Sequence, residues 1–179
     1  MRSPASAMQF IDPHHDCWHA AIGEDGPMPT PDPCANRLLS LEQWHAVRGH
    51  WPLDLCVGVS LPNDVDVESL AADLPRLALI TLHFPKWVDG RAYSQAWVLR
   101  RRLHFSGEVR ATGEVLVDML PQLQRTGFDA AQLRADQRIE SARRALSFFA
   151  GHYQNEVHAK QSHFARTIAE EPLLGKGAA

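Results

Sequence analysis

One short segment of the chain, 86–94, concentrates residues that could bind or transform a small anion. A lysine and an arginine supply positive charge there, and a tyrosine and a serine supply hydroxyl groups. Gly90 permits a sharp turn into the helix that follows. The free backbone amides in the first turn of a helix bind anions well. We therefore predict a site for phosphate, sulfate or another oxyanion, formed by Lys86, Asp89, Gly90, Arg91 and Ser94.

The same segment also has a purely structural interpretation, which the residue types leave open. Asp89 would then be only a helix N-cap, and Arg91 would pair with it or with Glu114. Tyr93 would pack against Trp97, four residues further along the helix. Both interpretations explain the pattern, so the sequence does not decide between an anion site and a capped helix.

A second group of polar residues follows at 110–118. Arg110 and Thr112 lie on the same side of a predicted strand, because side chains alternate with period two. If Arg110 lies inside a sheet or barrel it must be paired, and Glu114, Asp89 and Asp118 are the predicted partners. The alternative is a polar cleft in which Arg110 binds the same small anion.

Proton transfer at such a site needs a hydroxyl or carboxyl group near the bound anion. The candidates for catalysis are Tyr93, Glu114 and Asp118. Whether the protein is an enzyme does not follow from these residues. The run of three arginines at 100–102 is a weaker candidate, because consecutive positions fan around a helix; we interpret it as a solvated helix end.

The N-terminal segment contains a cluster that resembles a metal site. His15 and His19 would share one face of a short helix at a spacing of four residues. No distal ligand set accompanies them, so we predict no metal site. Cys17, Cys34 and Cys56 are too widely spaced for a redox pair or an iron–sulfur cluster. Nucleotide-binding fingerprints are also missing, so we predict no cofactor.

The elements that must position these residues alternate between strands and helices. Predicted strands cover 53–61, 77–84, 108–112 and 128–134, and predicted helices cover 38–47, 66–74, 91–103, a segment ending at Gly127 and a segment from Asp136 to Gly151. This alternation predicts parallel strands joined by right-handed crossovers. The predicted fold class is therefore α/β with about four parallel strand–helix units, either half of a (βα)8 barrel or a small open parallel sheet. Both forms place functional groups at the carboxyl ends of the strands.

Composition divides the 179 residues into three parts. Residues 1–36 contain half of the 12 prolines and are predicted to form an extended or irregular arm outside the core. Residues 37–154 form a single α/β domain, and residues 155–179 form a tail with weak periodicity.

Charge and hydropathy argue against several partners. The net charge of -3 is the sum of -7 over residues 1–85, +4 over residues 86–144 and zero beyond them. The pI of about 6.3 and the lack of a continuous basic face disfavour nucleic acid. No segment is apolar enough for a membrane span or a secretory signal, so we predict a cytoplasmic protein. A homodimer is a further prediction, because it would complete a half barrel.

Residues 84–130 resemble one bacterial family. They read FPKWVDGRAYSQAWVLRRRLHFSGEVRATGEVLVDMLPQLQRTGFDA, and the upstream segment LLSLEQW and the downstream segment 149–154 match as well. Over about residues 37–154 the chain is similar to the bacterial domain-of-unknown-function 934 family. The directly matching positions are Phe84, Pro85, Lys86, Asp89, Gly90, Arg91, Tyr93, Ser94, Leu99, Arg100, Gly107, Glu108, Arg110, Gly113, Asp118, Gly127, Phe128 and Asp129. The chain departs from the pattern at Trp87, Glu114 and Met119, where Phe, Asp and Gln are usual.

The resemblance implies a role in sulfur metabolism. Members are commonly labelled oxidoreductases and are typically encoded beside the haemoprotein subunit of sulfite reductase. The resemblance therefore implies an accessory protein of assimilatory sulfite reduction, with that haemoprotein as its partner. Since no redox-cofactor fingerprint is present, an adaptor or anion-handling role is easier to support than independent electron transfer.

Two other functions are compatible with the same residues. One is a stand-alone barrel-type enzyme that binds a phosphate, sulfate or carboxylate at the loop from Lys86 to Arg91. The other is an interaction module in which the acidic and basic regions mediate self-association.

Overall fold

The computed structural model of the protein describes residues 8–23 and 26–147. Within these ranges the strands are β1 Gln9–Phe10, β2 His19–Ala20, β3 Ile22–Gly23, β4 Gly26–Pro27, β5 Arg37–Ser40, β6 Val57–Leu61, β7 Leu77–Phe84, β8 Glu108–Gly113 and β9 Ala130–Ala131. The α-helices are α1 Leu41–Val47, α2 Arg91–Arg101, α3 Leu120–Thr126 and α4 Ile139–Ser147, and short 3-10 helices cover Val67–Leu70, Leu74–Arg76 and Val117–Met119. None of the helices in these ranges is long and apolar enough to cross a membrane.

Seven of these strands form one parallel sheet in the order β1-β9-β8-β7-β6-β5-β2. A single hydrophobic cluster joins one face of the sheet to all four α-helices, so the helices lie on one side. A parallel sheet covered by helices on one side curls into a half barrel, whereas an open sheet has helices on both sides. The predicted α/β class is confirmed, and the structure has the half-barrel form.

Strand β7 lies at the centre of the sheet and matches the predicted bounds 77–84. Its nearly continuous apolar run is typical of a parallel strand buried on both faces. Ile80 and Leu82 pack in the hydrophobic cluster on the helix side. Alternation places Thr81 and His83 on the opposite, concave face, and the register pairs Thr81 with Arg110 of β8. Arg110 therefore also lies on the concave face.

Two predicted helix boundaries have clear local causes. The Gln43 amide donates to the Ser40 hydroxyl at 3.1 Å, and the Ser40 amide donates to the Gln43 side-chain oxygen at 2.7 Å. This reciprocal capping box starts α1. Gly127 ends α3 with a φ of 103°, a left-handed conformation that favours glycine.

Other boundaries differ from the prediction. Residues 37–40 form β5 instead of the start of a helix, so five strands, not four, are each followed by a helical segment. The predicted helix at 66–74 is replaced by two short 3-10 helices, Val67–Leu70 and Leu74–Arg76. The predicted strands 53–61 and 128–134 shorten to β6 and β9. Phe149, the predicted helix end at Gly151 and the tail 155–179 lie outside the described residues.

The N-terminal arm joins both edges of the sheet. Strand β1 pairs with β9 at one edge, and β2 pairs with β5 at the other. Residues 11–18, which we call the strap, therefore cross from one edge to the other. Met8 and Ala21 are 6% and 2% exposed, so the arm also contributes to the core, contrary to the prediction. The side-chain amide of Gln43 holds the arm by donating to the backbone carbonyls of Ala21 and Met28 at 2.9 and 2.7 Å.

Candidate functional site

A tight turn with two exposed apolar side chains follows β7. The Asp89 amide donates to the Lys86 carbonyl at 3.0 Å, which makes Trp87 and Val88 the central residues of the turn. Their exposed fractions are 57% and 65%, and Lys86 is exposed beside them. Residues 86–89, which we call the apolar turn, thus present a tryptophan and a valine to solvent at the carboxyl edge of the sheet.

Asp89 and Arg91 form an ion pair at the start of α2. The Arg91 guanidinium donates to both carboxylate oxygens of Asp89, at 2.7 and 3.0 Å, and the Arg91 amide donates to one of them at 3.2 Å. Arg91, with a smaller contribution from Asn63, holds the pKa of the Asp89 carboxyl well below its usual range. A carboxylate of the chain itself therefore occupies the start of α2, where an oxyanion was predicted. The Asp89–Arg91 pair of the structural interpretation is observed, whereas the N-cap of α2 is Gly90 and not Asp89.

Tyr93 packs on the helix side of the sheet. Its ring makes edge-on contacts with Phe84 and Phe128, at centroid distances of 5.2 and 6.4 Å, and not the predicted contact with Trp97. Burial raises the pKa of the Tyr93 hydroxyl. Its environment is that of a core aromatic residue whose hydroxyl stays protonated at neutral pH.

Arg110 is buried on the concave face, with an exposed fraction of 3%. It donates to the Glu108 carboxylate at 2.8 Å and to the carboxylate of Asp16 in the strap. The predicted ion pairing of a buried Arg110 is therefore observed, but its predicted partners Glu114, Asp89 and Asp118 were wrong. Glu108 precedes Arg110 by two residues on β8, so period-two alternation places both side chains on one face.

The other predicted catalytic residues lie apart from this pair. Glu114 accepts a hydrogen bond from Arg134 at 2.7 Å, and Arg134 also donates to both carboxylate oxygens of Asp136. Arg134 lowers the pKa of Asp136 to about 2, and the two carboxylates raise the pKa of Arg134. Asp118 lies exposed on the 3-10 helix before α3.

The structure therefore brings only some of the predicted residues together. Asp89, Gly90 and Arg91 adjoin the exposed residues Lys86 and Ser94 around the start of α2. Tyr93 and Arg110 lie on opposite faces of the sheet, so these two side chains cannot contact one small substrate.

The predicted position of Arg100 was also wrong. It was interpreted as part of a solvated helix end, but its side chain is 5% exposed. It donates to the carbonyls of Gly127, Phe105 and Gly107 at 2.9, 2.6 and 2.8 Å and pairs with the Asp129 carboxylate. A planar guanidinium suits this role because it offers several donors in fixed directions.

Three features of this region were not predicted from the sequence. The apolar turn was visible as Trp87 and Val88 beside turn-forming residues, which indicates apolar side chains without a core position. The concave location of His83 follows from its period-two spacing to Thr81. The contact between Asp16 and Arg110 had no sequence signal, because 94 residues separate the two.

The histidine-rich arm has no set of metal ligands in the part of the chain that the structure describes. The His15 ring nitrogen Nδ1 donates to the Asp12 carboxylate at 2.7 Å, and this contact lowers the pKa of the Asp12 carboxyl. Cys17, Cys34 and Cys56 are exposed free thiols.

A family model described as a bacterial protein of unknown function (DUF934) matches residues 58–164. This match covers more than half of the 179 residues and contains the apolar turn, α2 and β8. No curated protein matches the chain significantly.

Proposed function

The chain belongs to the bacterial DUF934 family, and on that premise we propose that it is an accessory protein of assimilatory sulfite reduction that docks to the haemoprotein subunit of sulfite reductase. The sulfite-reduction context comes from what the family resemblance implies. The docking role comes from the apolar turn, and that turn is the observation that carries the proposal.

The apolar turn has the chemistry of a protein-binding surface. Tryptophan is enriched among the residues that dominate binding energy at protein interfaces. Trp87 and Val88 are held on a short turn between the central strand and α2, and the Asp89–Arg91 ion pair closes its far side. A preformed turn loses little conformational entropy on binding, so the apolar contact contributes most of its free energy to affinity.

The charge around the turn indicates the kind of surface that it binds. Lys86 is exposed on the turn, next to the Asp89–Arg91 ion pair, whose two charges offset each other. A partner surface with an apolar pocket and an acidic rim would match Lys86 and the two apolar side chains. Association should then slow as ionic strength rises, because exposed charges act mainly on the association rate.

The enzyme alternative has weaker support from the same geometry. An oxyanion at the start of α2 would meet the ionised Asp89 carboxylate, which repels it. Tyr93, Glu114 and Asp118, the candidates for proton transfer, are respectively packed in an aromatic cluster, bound to Arg134 and exposed on a separate helix. These placements favour docking over catalysis at this edge.

Binding between the purified chain and the sulfite reductase haemoprotein tests the proposal directly. We expect the double variant Trp87→Ala/Val88→Ala to lose at least about thirtyfold in affinity, because truncating a hot-spot tryptophan costs about 2 kcal/mol or more. Biolayer interferometry or calorimetry at two ionic strengths gives both the affinity and its salt dependence.

Leu53→Ala is the matched control for this experiment. Leu53 is 86% exposed and precedes β6, so it lies near the amino ends of the strands, whereas the apolar turn lies at their carboxyl ends. Its removal takes away an exposed apolar side chain without touching the apolar turn, so affinity should stay unchanged. Equal binding by the double variant and the wild-type chain, or no binding by the wild-type chain, contradicts the proposal.

A further inference from the structure

The concave face of the half barrel becomes polar toward the carboxyl edge. Its first layer, in register across β5, β6 and β7, consists of Leu38, Gly58 and Leu79. The layers above it contain hydroxyl, imidazole and guanidinium groups, contributed by Ser60, Thr81, His83, Arg110 and Thr112. Functional groups of (βα) barrels gather at this end of the strands.

The strap lies on this polar face. The Asp16 carboxylate pairs with Arg110 of β8. Trp18 packs against the bare backbone of Gly58 on β6, where an added Cβ would lie 3.1 Å from its ring. The strap thus has two anchors, a buried ion pair and an aromatic ring on a glycine, while residues 12–15 between β1 and Asp16 are exposed.

We propose that the concave face binds a small anion, a carboxylate or an oxyanion of sulfur or phosphorus, in place of the Asp16 carboxylate. Arg110 is the only guanidinium on this face among the described residues of β5 to β9, and its side chain is 4% exposed. A ligand anion that replaces Asp16 keeps the local charge balance, since Glu108 stays bound to Arg110. Entry of the ligand therefore requires release of the strap.

The neighbouring polar groups explain why a ligand could displace the strap. Asp16 contributes one carboxylate to Arg110. A small anion bound to Arg110 lies beside Thr81, and His83 and Thr112 follow in the next layer of the same face. The two threonines offer hydroxyl groups, and the histidine offers a ring nitrogen. Charge-assisted hydrogen bonds from these groups would add to the contact with Arg110. This inference is independent of docking at the apolar turn, which involves none of these side chains.

Isothermal titration of the full chain with sodium sulfite, sulfate, phosphate and acetate tests the inference. Asp16→Asn removes the competing carboxylate, and we expect it to tighten binding of at least one anion about tenfold. A tenfold gain corresponds to a state with the strap released that rises from about a tenth of the molecules to most of them. Asp12→Asn is the matched control, because Asp12 lies in the same strap and bonds only to His14 and His15 in the described structure. The four anions show whether carboxylates or tetrahedral and pyramidal oxyanions are preferred.

Two further measurements keep the test decisive. His83→Ala, at an exposed residue, should weaken anion binding several-fold while leaving the fold intact. Chymotryptic cleavage after Trp18 should become faster when the preferred anion is added, because the strap is released. The inference is wrong if Asp16→Asn binds all four anions no better than Asp12→Asn, or if His83→Ala leaves the affinity of the preferred anion unchanged.

Discussion

Arg100 and Asp129 show what the residues of the 84–130 block do in the folded chain. Arg100 donates to three backbone carbonyls and to Asp129, whose carboxylate also accepts a hydrogen bond from the Val109 amide at 2.9 Å. Gly107 fits beside this network because an added Cβ would lie 2.7 Å from the Ala78 carbonyl. These matching positions stabilise the fold.

Arg100→Gln should lower the free energy of unfolding by about 3–5 kcal/mol, because it removes the guanidinium donors of a buried network, including the pair with the Asp129 carboxylate. Arg102→Gln is the control, since Arg102 is a neighbouring arginine that is 59% exposed and pairs with Glu68 on the surface. Arg102→Gln should lower the free energy of unfolding by only about 0–1 kcal/mol. Urea denaturation measures both, and equal losses would contradict the buried role of Arg100.

At the scale of elements, a strand or helix boundary was predicted where a local residue pattern defines it and missed where only tertiary contacts define it. Strand β7 was predicted with its observed bounds because its apolar run is long, and α3 was predicted to end at Gly127 because a left-handed cap favours glycine. Strand β5 was missed because Arg37–Ser40 joins α1 without a break, so one apolar pattern covers a strand and a helix. Strands β1 and β2 have two residues each, and only their partners at the sheet edges define them.

The junction between β8 and its following turn depends on Gly113. Its φ is +88°, and an added Cβ would lie 2.4 Å from the Phe84 carbonyl and 2.7 Å from the His83 ring. Gly113→Ala should therefore lower the free energy of unfolding by about 2–4 kcal/mol, from backbone strain and overpacking together. Gly49→Ala, where an added Cβ meets nothing within 4 Å, should change it by about 1 kcal/mol or less. Thermal denaturation of the two variants compares them, and similar losses would rule out a special role for Gly113.

At the scale of the whole molecule, the sequence predicted the α/β class and the parallel strands but left two forms open. The half barrel depends on all helices packing on one face, and no local pattern specifies that choice. The predicted site residues divide between the two faces of the sheet, because Tyr93 on α2 packs on the helix side whereas Arg110 on β8 lies on the concave face. The strap closes the concave face through a contact that only the folded chain reveals.

The proposed docking at the apolar turn requires no catalytic group from Tyr93, Glu114 or Asp118. Its most direct test is growth of a deletion strain on sulfate as the sole sulfur source, complemented with variant chains. The triple variant Tyr93→Phe/Glu114→Gln/Asp118→Asn should restore growth to the wild-type level, because these changes keep the aromatic packing and touch only exposed or half-exposed carboxylates. Trp87→Ala/Val88→Ala should fail to restore growth although it accumulates as folded protein. The opposite result, with growth lost in the triple variant and retained in the double variant, would contradict the proposed docking role.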